Sequence, residues 1–195
     1  MAVDAVLVRE LRNKSGAGVM DCKTALTESD GDIEKAVDIL RKKGIEAAES
    51  KRGRKLAEGR VGSYIHFGGR IGVILEVGCE TDFVAKTKEF QNLVKDICMH
   101  IAASNPRWIS RDEVSEEVLE RERDVYRAQF TNKPANVIDK IVDGKLESFF
   151  KESCLLEQIY VKNQDVNVGD HIKEHVGKLG ENIEVRRFAR FAVGE

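Results

Sequence analysis

The chain has 195 residues, of which 42 % are apolar and 34 % charged, and its 34 acidic and 32 basic residues leave a formal net charge of −2. This length can bury a core of its own, and the balanced charge gives no support for DNA or RNA as a direct partner. No apolar run reaches the roughly 18 residues that cross a bilayer, so no membrane partner is expected. Four cysteines without a Cys-x-x-Cys pair are typical of reduced thiols, so we expect a cytoplasmic protein.

The first fifty residues predict three short helices, because apolar residues recur there at helical spacing. Ser15-Gly16-Ala17-Gly18 separates the first helix from the second. Gly31-Asp32 provides a turn and an N-cap for the third helix, which is predicted to end at Gly44. Helices of about ten residues are unstable alone, so the three are expected to pack on one another.

A charged segment, residues 49–55, follows these helices and is interpreted as a solvated linker rather than a phosphate-binding patch. The predicted domains are therefore an N-terminal helical domain over residues 1–52 and an α+β domain over residues 53–195.

Two runs with strand periodicity flank Gly68-Gly69, which predicts a β-hairpin, since both central positions of such a turn favour positive φ. Pairing Phe67 with Arg70 places His66 opposite Ile71. One face of the hairpin is then apolar enough to pack on a helix.

A long helix is predicted from about Phe83 to Ala103, with Asn105-Pro106 ending it. Residues 115–130 are dense in charge and predict a surface helix. The rest of the chain predicts further helices over residues 134–153 and 168–179, a short extended piece over 158–161 and a final strand over 183–193. The fold class is therefore α+β: a three-helix bundle, a hairpin, a long helix, a helical region and a C-terminal strand.

The residue patterns give little support for an enzyme. His171-Ile172-Lys173-Glu174-His175 matches the His-x-x-Glu-His motif of one zinc peptidase class, but too few residues follow for a third ligand. We interpret it as a solvated helix and keep a zinc hydrolase as an alternative. The chain has no P-loop and no nucleophile–base arrangement, so we expect no catalytic residues, no metal and no cofactor.

The junction between the second hairpin strand and the long helix places an acid and an aromatic together, Asp82 and Phe83. Phe83 is spaced by sevens from Phe90 and Ile97, so it can extend the buried stripe of the helix. Alternatively, Asp82 and Phe83 project into another molecule from the element end. Asp82 also has a structural interpretation, as an N-cap or first-turn acid.

Residues 79–86, with Thr81-Asp82-Phe83-Val84 at their centre, resemble a motif of the elongation factor Ts family, and residues 15–23 resemble that family's other motif. The resemblance runs from about Asp4 to Gly194 and includes residues 100–106, 144–146 and 186–191.

Members of this family are guanine-nucleotide exchange factors of elongation factor Tu, the GTPase that delivers aminoacyl-tRNA to the ribosome. The resemblance implies binding to the GDP-bound and nucleotide-free GTPase, with Phe83 wedged near the bound magnesium and Asp82 supporting it. Thr81 and Val84 would shape the turn. It also implies an N-terminal bundle of the ubiquitin-associated type that docks on the nucleotide domain. The positions carried over there are Val19, Met20, Asp21 and Lys23, and Met20 is equally compatible with the core.

Longer members of the family contain a duplicated core subdomain, whereas this chain resembles the short form. The exposed edge of the strand over residues 183–193 invites pairing across a two-fold axis, so we expect a homodimer. Arg186, Arg187 and Arg190 are interpreted as the exposed side of that strand rather than as partner contacts. The alternative function is a non-catalytic adaptor that binds another protein through the helical bundle, and it leaves Asp82 and Phe83 without a role.

Overall fold

A computed structural model describes residues 4–130 and 134–195. Within these residues the fold is α+β, as predicted, and comprises helices and a three-stranded antiparallel sheet of order β1-β2-β3. The helices and strands are α1 (Ala5–Ser15), α2 (Val19–Glu28), α3 (Ile33–Lys51), β1 (Glu58–Ile65), β2 (Ile71–Cys79), α4 (Asp82–Ala85), α5 (Lys88–Ser104), α6 (Glu116–Ala128), α7 (Ala135–Ser153), α8 (Val168–Leu179) and β3 (Ile183–Ala192).

The chain divides into two compact units. The first comprises the described residues up to 61 together with residues 76–94 and 170–186. The second comprises residues 62–75, 95–169 and 187–195. The predicted domain boundary between residues 52 and 53 stays a prediction.

The predicted N-terminal bundle is formed by α1, α2 and α3 in the first unit. Asp4 caps α1 by accepting a hydrogen bond from the Val6 amide, and Asp32 caps α3 by accepting one from the Lys35 amide. Gly16, with φ +69°, ends α1 in the left-handed conformation that glycine adopts without strain. The buried residues that form the core of the bundle are Leu11, Cys22, Ala25, Leu26 and Ala36.

Helix α3 does not end at Gly44 as predicted but continues to Lys51. The reason is a close contact with α8: a Cβ atom on Gly177 would lie 2.9 Å from the Cα of Gly44. Two glycines at a helix crossing allow the backbones to approach closely. This packing outweighs the preference of glycine for helix ends.

The hairpin prediction is confirmed. The His66 amide donates to the Ile71 carbonyl at 2.9 Å, and Gly68 and Gly69 have φ values of +86° and +69°. Strand β2 buries one face, with Val73, Leu75, Val77 and Cys79.

In the second unit α6 and α7 pack together beside Trp108, whose ring centroid lies 5.7 Å from that of Phe149. Arg111 binds the carboxylates of Glu147 and Glu157 at 3.0 and 2.7 Å. Burial of α6 is limited to one side, in agreement with the predicted surface helix.

The interpretation of Arg190 as an exposed residue is wrong. Its Nε atom donates to the Ala102 carbonyl at 3.4 Å and its guanidinium pairs with Glu195 at 2.7 Å, so little of the side chain contacts solvent. Arg186 and Arg187 are exposed as expected. In the described part of the chain, no helix has both the length and the apolarity needed to cross a membrane.

Candidate functional site

The site predicted at residues 81–84 is a single helical turn, α4, which directly follows β2 in the first unit. Thr81 is its N-cap, and the Thr81 hydroxyl accepts a long hydrogen bond of 3.5 Å from the Val84 amide. Helix α5 begins anew, because Thr87 Oγ1 accepts from the Phe90 amide at 3.1 Å while donating to the Val84 carbonyl at 2.8 Å. The helix is therefore interrupted between α4 and α5.

This break corrects the prediction of one helix from Phe83 to Ala103. Because α4 and α5 are separate, Phe83 does not continue the stripe of Phe90 and Ile97 despite the spacing by sevens. Phe83 is 83 % exposed, whereas Phe90 is fully buried. Val84 and Ala85 supply the buried side of α4. The core interpretation of Phe83 is thus wrong, and the ring projects from the end of an element.

Asp82 lies in the first turn of α4 and is not its N-cap. Its Oδ2 accepts a hydrogen bond of 2.5 Å from Lys86 Nζ, and this contact lowers the pKa of Asp82 and raises that of Lys86. Asp82 is therefore anionic at neutral pH. The sequence reasoning missed Lys86, although its i,i+4 spacing from Asp82 was a usable signal.

A second residue missed by the sequence reasoning is Glu181, 100 positions after Thr81. Its carboxylate accepts hydrogen bonds from the amides of Glu80 and Thr81 and from the Thr81 hydroxyl. No local pattern in the sequence connects the segments that contain these residues.

The four positions proposed on the N-terminal bundle lie in the first turns of α2, in the same compact unit. Met20 is 70 % exposed, so the alternative that places it in the core is wrong. Val19, Asp21 and Lys23 are also exposed, while Cys22 between them is buried. Helix α2 therefore presents a small apolar surface flanked by two opposite charges.

The histidines of the His-x-x-Glu-His match lie on α8. His175 is buried, contrary to the interpretation of a solvated helix, and burial lowers its pKa. Its Nδ1 donates to the His171 carbonyl at 2.9 Å, and its Nε2 lies 3.4 Å from Glu89. Within residues 4–130 and 134–195, no three His, Cys, Asp or Glu side chains are arranged to hold a metal ion.

All four cysteines are buried free thiols. Burial raises the pKa of Cys79, Cys98 and Cys154 to about 11, so these thiols are protonated at neutral pH. They are poor nucleophiles in this state.

Comparison with known proteins gives a consistent result. A family model described as elongation factor TS matches residues 3–195. Elongation factor Ts of Caldanaerobacter subterraneus subsp. tengcongensis is 60 % identical over 195 residues, which cover 99 % of this chain and 98 % of the relative. Elongation factor Ts of Desulfosudis oleivorans is 58 % identical with the same coverage, and that of Fervidobacterium nodosum is 52 % identical over the full length of both chains. The chain belongs to the elongation factor Ts family.

Proposed function

We propose that this chain is a guanine-nucleotide exchange factor that binds elongation factor Tu with GDP and promotes GDP release by disturbing the magnesium and phosphate site. Membership of the elongation factor Ts family supports a role in translation elongation with elongation factor Tu as partner. We also propose that the chain acts in the cytoplasm, with neither nucleic acid nor a membrane as a direct partner. The observation that supports the mechanism is the exposed ring of Phe83 on the one-turn helix α4.

Exchange of this kind is a linkage effect and needs no covalent chemistry. A protein that binds the empty GTPase more tightly than the GDP-bound form weakens GDP binding by the same factor. Burying a phenylalanine side chain contributes about 1.5–3 kcal/mol, which matches the 1–3 kcal/mol typical of such coupling. Phe83 supplies this energy if the pocket of the GTPase that receives its ring opens only when the nucleotide site is disturbed.

Asp82 contributes through its charge. Its carboxylate is anionic at neutral pH and lies beside Phe83 in the same turn. The phosphates of GDP are also anionic, so placing Asp82 near them weakens their binding by like-charge repulsion. Lys86, bound to Asp82, holds this carboxylate in place.

The surface on α2 serves a different purpose. The exposed side chains of Val19 and Met20 form an apolar contact, and Asp21 and Lys23 lie at its margin. An apolar centre with charged neighbours is typical of a protein–protein contact. We assign it the docking of the bundle on the nucleotide domain, which contributes affinity whether or not GDP is bound.

Release of a fluorescent GDP analogue from purified elongation factor Tu tests the function. The wild type is expected to accelerate GDP release. Phe83→Ala is expected to accelerate it ~10- to 150-fold less than the wild type does, which corresponds to the energy of burying the phenylalanine side chain. Phe67→Ala is the matched control, because Phe67 is 97 % exposed at the hairpin tip and lies outside the site.

Two outcomes would contradict the proposal in different ways. A wild-type chain that leaves GDP release unchanged removes the exchange function altogether. If Phe83→Ala is fully active, the exchange function stands, but the proposal that the Phe83 ring promotes GDP release is wrong.

We also propose that two copies of the chain form a homodimer. In the second unit, one face of the sheet carries exposed apolar side chains around a shallow groove, namely Ile65, Ile74, Phe191 and Val193. β1 and β3 are the edge strands of the sheet. An apolar face beside open strand edges favours association with a second copy.

Sedimentation at micromolar concentration tests the dimer. We expect a species of twice the 21.9 kDa chain mass, and Ile74→Lys is expected to convert it to monomer because it places a charge on the apolar face. Ile65→Thr, a milder change on the same face, should weaken the dimer less. A wild type that sediments only as monomer would overturn this part of the proposal.

A further inference from the structure

The segment that precedes α4 is tied to a distant part of the first unit by one carboxylate. Glu181 follows Gly180, which ends α8, and precedes β3. Its Oε2 accepts from the amides of Glu80 and Thr81 at 3.1 and 3.0 Å, and its Oε1 accepts from the Thr81 hydroxyl at 2.5 Å. Hydrogen bonds to an ionised acceptor are about twice as strong as neutral ones.

The connection is reciprocal. Glu80 Oε1 accepts from the Asn182 amide at 2.6 Å and lies 3.6 Å from the Arg54 guanidinium. Each of the two segments therefore offers a carboxylate to the backbone of the other. As a result, both residues before Asp82 have their amides bound and cannot rotate freely.

Helix α4 needs this support. It is only four residues long, too short to be stable alone, and its cap bond of 3.5 Å is weak. The exposed ring of Phe83 would lower its contact with water by folding onto the protein if the turn were loose. A turn held in advance also avoids the entropy cost of ordering it when the partner binds.

We propose that Glu181 is a positioning residue for nucleotide exchange. It holds the α4 turn so that Asp82 and Phe83 project in the orientation in which they contact the GTPase. This inference rests on the proposed exchange function. Glu181 acts through Phe83 and does not itself touch the nucleotide.

The maximal rate of GDP release at saturating concentration of the chain is the measurement. Glu181→Ala is expected to lower this rate about 10-fold, which corresponds to 1.4 kcal/mol, while the concentration for half-maximal rate changes little because docking through α2 is intact. Glu181→Gln should recover most of the rate. Its amide oxygen reaches the same two amides, and its NH₂ group can donate to the Thr81 hydroxyl.

A double-mutant cycle with Phe83→Ala separates positioning from an independent contact. If Glu181 acts through Phe83, Glu181→Ala has at most about a 2-fold further effect once Phe83 is removed. Glu46→Ala, an exposed carboxylate on α3, is the control and should match the wild type. Amide hydrogen exchange in the free chain should show loss of protection at Glu80 and Thr81 in Glu181→Ala but not in Glu46→Ala.

The outcomes are distinguishable. An active wild type with a fully active Glu181→Ala, or an equal loss in both backgrounds, overturns this inference alone. A wild type without exchange activity overturns the proposed function and this inference with it. If Glu181→Ala fails to fold, Glu181→Asp replaces it, because the shorter side chain keeps the charge but withdraws the carboxylate by about 1.5 Å. The same loss of rate is then expected, and its absence overturns the inference.

Discussion

At the scale of single residues, Phe83 and Phe90 provide a matched pair. They lie seven positions apart, but Phe90 is fully buried and Phe83 is 83 % exposed. Phe90→Ala is expected to lower the free energy of unfolding by about 3–5 kcal/mol, because it leaves a cavity in the core. Phe83→Ala should change it by less than about 0.5 kcal/mol.

Urea denaturation of both variants checks this contrast. A large loss of stability in Phe83→Ala would show that its ring packs in the folded chain. A loss of exchange activity in that variant could then no longer be assigned to the wedge.

His100 is a second residue with a testable consequence, because it is buried in its neutral form. The Val161 amide donates to Nδ1 at 3.3 Å, so the ring proton lies on Nε2 and is donated to Gln158 Oε1 at 2.8 Å. Gln158 in turn donates to the carbonyls of Ser104 and Glu152. Burial lowers the pKa of His100 below its ordinary value of 6.5, because the charged ring would lose its hydration and a second ring proton would face the N–H group of Val161.

The sign of the pH effect follows from this lowered pKa. Below pH 6.5 the unfolded chain takes up a proton at His100 that the folded chain does not, so stability falls as the pH falls from 6.5 towards the folded pKa. The slope is at most about 1.4 kcal/mol per pH unit for one proton. His175, whose pKa is also lowered by burial, contributes in the same direction.

His100→Gln should be less stable than the wild type at pH 7, because it removes a buried ring that is hydrogen-bonded to Gln158 and Val161. Because the variant lacks the titrating group, its stability should also depend less on pH between pH 7 and 5. Urea unfolding at several pH values measures both quantities. An identical pH dependence in the two proteins would show that His100 does not titrate differently in the folded and unfolded states.

At the scale of elements, the crossing of α3 and α8 determines which glycines can be replaced. A Cβ on Gly177 would lie 2.9 Å from the Cα and 3.6 Å from the carbonyl oxygen of Gly44. Gly177→Ala is expected to destabilise the chain by about 1–3 kcal/mol through overpacking, although alanine favours a helix by about 1 kcal/mol.

Gly144, inside α7, is the matched control because a Cβ there meets no atom within 4 Å. Gly144→Ala should raise the free energy of unfolding by about 0.5–1 kcal/mol. Thermal unfolding of both variants compares them directly. A stabilised Gly177→Ala would show that the crossing can separate without loss.

The same elements show what the sequence can predict. The hairpin and the bundle follow from local signals, since Gly68-Gly69 and the Asp32 cap act within a few residues. The extension of α3 through Gly44 could not be predicted, because its cause is α8, far along the chain.

At the site, the sequence alone identifies the motif that contains Asp82 and Phe83, but the spacing of Phe83 by sevens from Phe90 and Ile97 favours a core role for its ring. The deciding feature is the cap formed by Thr87, a residue whose side chain gives only a weak signal in a predicted helix. The role of Glu181, like the contact of α8 with α3, could not be predicted from the sequence, because it joins segments that only the fold brings together.

At the scale of the whole molecule, exchange requires two kinds of binding energy. Docking energy that is equal for the GDP-bound and empty GTPase raises affinity but leaves GDP binding unchanged, whereas energy gained only with the empty GTPase weakens GDP. We assign the first kind to Val19 and Met20 and the second to Asp82 and Phe83. Substitutions in the two surfaces should therefore have different effects on binding to the empty and GDP-bound GTPase.

Titration of elongation factor Tu with the chain, with and without saturating GDP, measures this division. Met20→Ala is expected to weaken both affinities by a similar factor and so to leave their ratio nearly unchanged. Phe83→Ala should weaken binding to the empty GTPase more than to the GDP-bound form, which moves the ratio towards one. By linkage, the weakening of GDP by the chain must shrink by the same factor, so a separate GDP titration provides an internal check. If Met20→Ala changes the ratio as much as Phe83→Ala does, docking and exchange share one surface and the assignment of separate roles is wrong.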